Sequence, residues 1–521
     1  MAAVDKRRSI LNVSVSIFSR IILLIAAIFV RRLLIQNIGN NVNGLNSLYT
    51  SIIGMLTVAE LGVGRAIVYS MYRPIVVGEK RQIAALYCLY RKLYRIIGTI
   101  IFIGGLVVIP FLPRLISDYE QVSVNVYSTF LLTLISVVIS YLFAAKSSLI
   151  EAHKDNYITT GISTISGLVR YGLQIVAILI WKSFSVFLIC QIISTLLIWV
   201  LTEGIVRHKY PDIIKQHEAV DASTRIEIIR NTKAMLMHKI GVILVNTIDS
   251  MIISGFIGVI ILGKYSNYMY ICSAMVGIIN LFFTPLTSVI GHLCAEGNKE
   301  KTREYFDFFY CLNYILGVVF FLGYYSVIDA VVVLLFGPGL AVAHSITFII
   351  TLNQFIQYMR NAALLFRNAS GTFYYDRWKP VAEGVVNFAL SLFFVMFFPE
   401  EYKVVGVIVA TIITNLLICD TVEPFVVFKH VFGQKPGKFY VKNYSYISLF
   451  VLALINMTLL TRKNSTALSG ILVNGIISVA VSIILLGIVA VADKDFRNEV
   501  LIMGRKAMVW VRKMMKRDWQ L

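Results

Sequence analysis

The sequence predicts an all-α membrane protein of about fourteen transmembrane helices, arranged as two pseudo-symmetric six-helix lobes plus two extra C-terminal helices. Three observations predict it: a composition too apolar for water, basic residues that collect on alternate loops, and a self-similarity at an offset of 219 residues.

Of 521 residues, 58% are hydrophobic and 15% charged, and the mean hydropathy is +0.78. A soluble domain covers its surface with about 25% charged residues, so lipid is the solvent of this chain. The expected spans are 11–35, 45–72, 96–116, 125–148, 158–181, 184–206, 238–258, 265–293, 306–334, 341–366, 380–399, 404–428, 444–461 and 469–491. The first follows a basic N-terminal stretch but runs past Phe29 with no small-residue cleavage site, the pattern of a retained span.

The basic residues test this count. With the N-terminus assigned to the cytoplasm, one side collects Lys6, Arg7, Arg8, the cluster from Lys80 to Arg95, Arg207 to Lys239, Lys299 to Arg303, Lys429 to Lys442 and the tail. The other side holds little beyond Arg114, Lys182, Lys264, Lys403, Arg462 and Lys463. This is the positive-inside bias, and one helix more or fewer would scramble it. Both termini are therefore expected in the cytoplasm. The net charge of +20 faces anionic lipid headgroups and calls for no nucleic acid. In the tail, Arg505, Lys506, Arg512 and Lys513 alternate with Met508, Val509 and Trp510, as in an interfacial helix or a frayed basic end.

The repeat is carried by glycines at span ends. Gly39 and Gly44 match Gly258 and Gly263, each pair in an I-G-x-x-x-x-G stretch; Ser47 and Tyr49 match Ser266 and Tyr268. Gly78, Lys80 and Gly98 match Gly297, Lys299 and Gly317. An offset of six spans keeps both copies in one orientation, with a substrate path between them. The expected organisation is an N-lobe (1–206), a cytoplasmic linker (207–237), a C-lobe (238–428), two further helices (429–491) and a basic tail (492–521). A two-lobed single chain favours alternating access over a pore built from identical subunits.

Ionisable groups inside spans are costly and face a cavity or a partner. Here many are arginines. Arg20 and Arg31 lie about three turns apart on the first span, beside Ser19. The second carries Glu60 and Arg65, the fifth Arg170 and Gln174, the seventh Asn246 and Asp249. On the tenth, Asn353, Gln357, Arg360 and Asn361 form one polar stripe. Arg31, Arg32 and Arg65 sit near span ends, where snorkelling competes with a cavity role. Guanidinium stays charged and grips phosphate with a two-pronged fork, so several arginines facing one cavity suit a diphosphate. Glu60 and Asp249 are either counter-charges or sites for a coupling proton or cation, and Pro285 is placed to bend the eighth span. No catalytic constellation, nucleotide-phosphate loop or metal-ligand spacing is found, and the six cysteines form no CxxC pair, so no cofactor is expected.

The run R-R-L-L-I-Q-N-I-G-N-N-V-N-G-L-N-S-L-Y (Arg31 to Tyr49), then A-E-L-G-V-G-R-A-I-V-Y-S-M-Y-R-P (Ala59 to Pro74) and Y-R-K-L-Y-R-I-I-G ending at Gly98, resembles bacterial polysaccharide repeat-unit flippases of the Wzx type. The second half agrees, with N-T-I-D-S-M-I-I-S-G-F-I-G (Asn246 to Gly258) and G-K-Y-S-N-Y (Gly263 to Tyr268). The resemblance implies the multidrug/oligosaccharidyl-lipid/polysaccharide exporter (MOP) fold in the bacterial cytoplasmic membrane. It implies movement of undecaprenyl-diphosphate oligosaccharides to the outer leaflet, with a polymerase and glycosyltransferases as pathway neighbours. The related lipid II flippases carry a Phe-Ser-Arg in helix 1 whose arginine lines the cavity, matched here by Phe18, Ser19 and Arg20, and two extra C-terminal helices that form a groove for the lipid tail.

Three other readings compete: a lipid II flippase, an antiporter for cations or drugs with the same fold, and an integral-membrane sugar polymerase or transferase. A cation exporter needs an acid-rich cavity, whereas intramembrane arginine dominates here. A polymerase or transferase tends to carry a large external loop, and no long one is expected. Transport, not enzymatic chemistry, is the expected function.

Overall fold

The structure is a computed structural model that describes residues 2–60, 63–216, 220, 247–283, 286–461 and 468–505. Most of the expected linker, Asn246 and the tail beyond Arg505 lie outside the described residues. Among the described residues every regular element is helical. Nine helical stretches among them are long and apolar enough to cross a membrane, and each of the fourteen expected spans meets a helix or a broken helix.

The first expected span lies in α1 (Ala2–Asn37). The second is broken into α2 (Asn40–Leu56), a tight turn at Thr57–Glu60, and α3 (Val63–Val77). The third is longer than expected: α4 (Lys80–Val108) begins at the basic cluster and runs into a 3₁₀ segment, Ile109–Leu115, at Pro110 and Pro113. Its first turns alternate Lys80, Arg81, Arg91 and Arg95 with the buried Ile83, Leu86, Tyr87 and Tyr90, so they are amphipathic rather than uniformly apolar. A hydropathy boundary stops at the charges; the helix does not. α5 (Val126–Ala152), α6 (Asn156–Trp181) and α7 (Phe184–Lys209) follow the expectation closely, then a short α8 (Pro211–Lys215).

The described part of the seventh span is α9 (Thr247–Phe256). The eighth divides into α10 (Val259–Phe283) and α11 (Leu286–Ala295) on either side of Pro285, itself outside the described residues. The ninth is α12 (Lys299–Phe336); the tenth divides at Arg360 into α13 (His344–Met359) and α14 (Asn361–Ser370). α15 (Lys379–Phe397) precedes a continuous run in which α16 (Lys403–Thr414) and α17 (Asp420–Val427) are joined by a π-helical stretch, Asn415–Cys419. α18 (Gly437–Leu460) and α19 (Leu468–Ala492) are the two additional helices.

The chain divides into two compact units. The first comprises Met1–Asn267 with Leu335–Gly337 and Pro380–Phe388. Within it α5 packs on α4 and α7, and α6 on α7 and α1. Tyr49 is fully buried against Phe130, 5.3 Å between ring centres, and its hydroxyl donates to the Val126 carbonyl. The second unit comprises Tyr268–Leu334, Pro338–Lys379 and Ala389–Leu521. Its core is aromatic: Phe306 meets Phe366 and Phe432 at 5.3 and 5.4 Å, and the Arg303 guanidinium lies 4.3 Å over Phe428. α18 joins this core, with Phe450 stacked on Phe355 and Asn443 accepting from Tyr310; α19 adds the Asn474 amide on the Ser326 carbonyl.

The repeated glycines share a conformation. Gly39 and Gly258 have φ of 128° and 126°, and Gly78 and Gly297 have 82° and 76°. The turns at Gly39 and Gly258 also make corresponding hydrogen bonds, from the 38 and 39 amides to the Leu34 carbonyl and from the 257 and 258 amides to the Ile253 carbonyl. Backbone in these regions is closed to most side chains, which is why glycine recurs there. The two copies then meet reciprocally: a Cβ on Gly44 would lie 1.8 Å from the Val259 carbonyl oxygen, and one on Gly263 would lie 2.5 Å from that of Asn40, the counterpart of Val259.

Candidate functional site

In the first unit the arginines of the expected diphosphate site have distinct surroundings. Ser19 is buried on α1 and shares a 2.5 Å hydrogen bond with Thr164 of α6, pinning the two helices together beside Arg20, which is exposed. Arg31 is half-buried; its Nε donates to the Asn267 side chain at 2.9 Å and an Nη to Ser266 at 2.7 Å. Asn43, nearly fully buried, donates to the same Asn267 and to the Gly263 carbonyl, both at 3.1 Å. Arg31 thus serves the joint between the repeated glycine segments. Arg170 on α6 lies with its guanidinium 4.6 Å over Tyr171, and its buried Nε has no hydrogen-bond partner. Gln174, one turn on, donates to the Phe187 carbonyl. Arg65 falls in α3, but its side chain is outside the described residues, as is all of Asn246; Asp249 is half-buried on α9.

Glu60 stands at the break between α2 and α3. One carboxylate oxygen accepts from the Tyr94 hydroxyl at 2.7 Å and the other from Tyr141 at 2.9 Å. Its hydrogen-bond donors are thus two phenols of α4 and α5, and among the described residues it forms no ion pair with an arginine.

In the second unit the polar stripe of the tenth span is present. Gln357 donates to Asn353 at 3.3 Å, as the one-turn spacing requires, and Asn361 keeps a buried amide nitrogen without a hydrogen-bond partner. Arg360, at the break between α13 and α14, is fully engaged. Its Nε and one Nη grip the two oxygens of Glu423 at 3.1 and 2.6 Å, and the other Nη donates to Asn415 at 2.5 Å. An anion arriving at this guanidinium has to displace a carboxylate.

Sequence reasoning missed the acids and bases around this pair. Glu423 also takes the Lys379 ammonium at 2.7 Å, and Arg367 donates to Asp376 at 2.5 Å; all four are buried. Asp420, one turn before Glu423, is buried as well. In a linear scan Arg367, Asp376 and Lys379 read as loop, and nothing local marks contacts that bridge up to 63 positions. The available signal was the carboxylates Asp420 and Glu423 inside an apolar span, by the same rule that singled out the arginines. A second missed network joins Asp329 to Tyr268 and Thr347 at 2.7 and 2.8 Å, with His344 nearby.

No family model and no curated protein matches the sequence. Solved structures do match. A lipid II flippase, MurJ, in an inward closed conformation superposes with a TM-score of 0.61 over 92% of this chain and 98% of its own, at 14% identity. An inward-facing multidrug resistance transporter of the MATE family gives 0.58 over 83% and 98%, at 11% identity. A MOP superfamily transporter from Pyrococcus furiosus, described as having a binding pocket of reversed polarity, gives 0.53 over 86% and 96%, at 14% identity. The chain therefore has the all-α membrane fold of the MOP superfamily transporters.

Proposed function

We propose that the protein is a flippase that carries undecaprenyl-diphosphate-linked oligosaccharide repeat units from the inner to the outer leaflet of a bacterial cytoplasmic membrane. It works by alternating access between an N-lobe and a C-lobe, with both termini in the cytoplasm. The observation that carries this reading is the pairing of a MOP transporter fold, matched over nearly the whole length of a lipid II flippase, with intramembrane arginine in place of an acid-rich cavity. Arg20 and Arg170 are the groups best suited to the diphosphate: Arg20 is exposed on α1 and Arg170 retains an unmatched Nε. Arg31, Arg65 and Arg360, with Ser19, Asn246, Asn353, Gln357 and Asn361, complete the proposed polar lining. Glu60 and Asp249 are proposed for counter-charge or for coupling to H⁺ or Na⁺.

Lipid II itself is the second reading. It is favoured by the two additional helices, α18 in the aromatic core of the second unit and α19 hydrogen-bonded through Asn474 to the Ser326 carbonyl, and by the Phe18-Ser19-Arg20 match.

Surface glycan export, normalised to protein abundance in the membrane, tests the diphosphate role. A charged hydrogen-bonded contact worth about 2–3 kcal/mol corresponds to roughly a 30- to 150-fold effect. Arg20→Ala should therefore lose nearly all normalised export, and Arg20→Lys much of it, because lysine keeps the charge without the fork. Full normalised export by Arg20→Ala would leave this arginine a structural residue.

A further inference from the structure

The strongest anomaly in the molecule is a carboxyl group that the arginine-centred reading does not use. Asp420 opens α17, directly after the π-helical stretch Asn415–Cys419, and is 3% exposed. Its Oδ2 is buried without a hydrogen-bond partner. The charged groups acting on it are the Arg360 guanidinium from the α13–α14 break, the Lys379 ammonium from the start of α15 and Glu423 on its own helix; the phenols of Tyr310 on α12 and Tyr444 on α18 lie within its electrostatic reach. Both cations are already committed, Arg360 by its fork and Lys379 by a 2.7 Å contact, to Glu423.

Burying an ionised carboxylate without hydrogen bonds costs far more than burying a neutral acid. A metal cation does not fit the same position: the Arg360 and Lys379 cations act on it, a hard cation needs several oxygen ligands, and among the described residues no group of three or more His, Cys, Asp or Glu side chains could hold one. A π-helical turn widens a helix by one residue and recurs at functional positions, and here it directly precedes Asp420 and contains Asn415, which accepts from Arg360.

We propose that Asp420 is a proton-binding site, and that its proton exchange switches the Arg360–Glu423 pair during the transport cycle. With the proton on, Asp420 is neutral and Glu423 keeps both cations, as observed. When the proton passes to water, the carboxylate formed competes with Glu423, one turn away, for the Lys379 ammonium or one arm of Arg360. One proton leaves, no other bond is made or broken covalently, and the break between α13 and α14 is released from α17. The site rests on the transport reading for its purpose and on geometry alone for its existence.

The test uses the full chain in lipid nanodiscs and proteoliposomes. Infrared difference spectra at neutral pH should show the carbonyl stretch of a protonated carboxyl, shifted in heavy water and lost in Asp420→Asn, whose amide is nearly isosteric with the neutral acid. A spectrum unchanged by Asp420→Asn overturns the proposal, whatever the substrate is. In proteoliposomes carrying lipid-linked oligosaccharide, an imposed proton gradient should speed wild-type translocation several-fold and leave Asp420→Asn at its ungraded rate. A full gradient response in Asp420→Asn overturns the coupling role. If no lipid-linked sugar moves in any vesicle while the infrared band is present and lost on substitution, the transport reading has failed and the proton site stands.

Discussion

Arg20 and Arg360 illustrate how far a single side chain can be read before its partners are known. The polar stripe Asn353–Gln357–Arg360 is legible because helical spacing fixes which residues share a face, and the Gln357–Asn353 hydrogen bond follows from it. The partner of Arg360 is not legible, because Glu423 reaches it only through the packing of separate helices. For the same reason Glu60 could be singled out while its two phenol donors, Tyr94 and Tyr141, could not. Breaking a buried ion pair by removing one partner leaves the other charge uncompensated and costs about 3–5 kcal/mol. Glu423→Gln removes the carboxylate that both Arg360 and Lys379 hold and should therefore lower the thermal unfolding midpoint in detergent sharply, and by more than Arg360→Ala, which leaves Glu423 paired with Lys379. Equal midpoints for Glu423→Gln and the wild type would mean that these pairs contribute nothing to the fold.

Helices and their interruptions carry the next layer. Span positions were readable from hydropathy, and helix starts were not: α4 begins at Lys80 rather than near residue 96, since an amphipathic turn hides its apolar side among charges. The breaks at Thr57–Glu60 and Arg360 and the π-helical stretch at Asn415–Cys419 have no sequence marker as clear as proline. The glycine turns do. Gly39 adopts φ 128° and ψ 158°, a region essentially reserved for glycine, so Gly39→Ala should cost about 1–3 kcal/mol. Gly44→Ala would drive a methyl into the Val259 carbonyl and should be at least as harmful, whereas Gly204→Ala on α7 meets open space and should stabilise by about 0.5–1 kcal/mol. Thermal unfolding of the three variants checks the order; a neutral Gly44→Ala would contradict the reciprocal contact between the repeat copies.

At the scale of the whole molecule, fold class was legible because a bilayer admits few solutions: backbone polar groups must be satisfied within each spanning segment, so the apolar runs become helices. The structure divides into two compact units and superposes on solved MOP transporters, as the resemblance implied. The proposed substrate class rests on charge, since arginine within spans suits an anion and opposes a cationic drug. Reconstitution in proteoliposomes tests that claim most directly, with undecaprenyl-diphosphate oligosaccharide placed in both leaflets and an external glycan-trimming enzyme reporting what reaches the outer face. The expected result is that wild-type protein makes the inner-leaflet pool accessible, with Arg20→Ala close to protein-free vesicles. Inner-leaflet substrate that stays protected with wild-type protein, in vesicles that do export a cationic drug, would contradict it.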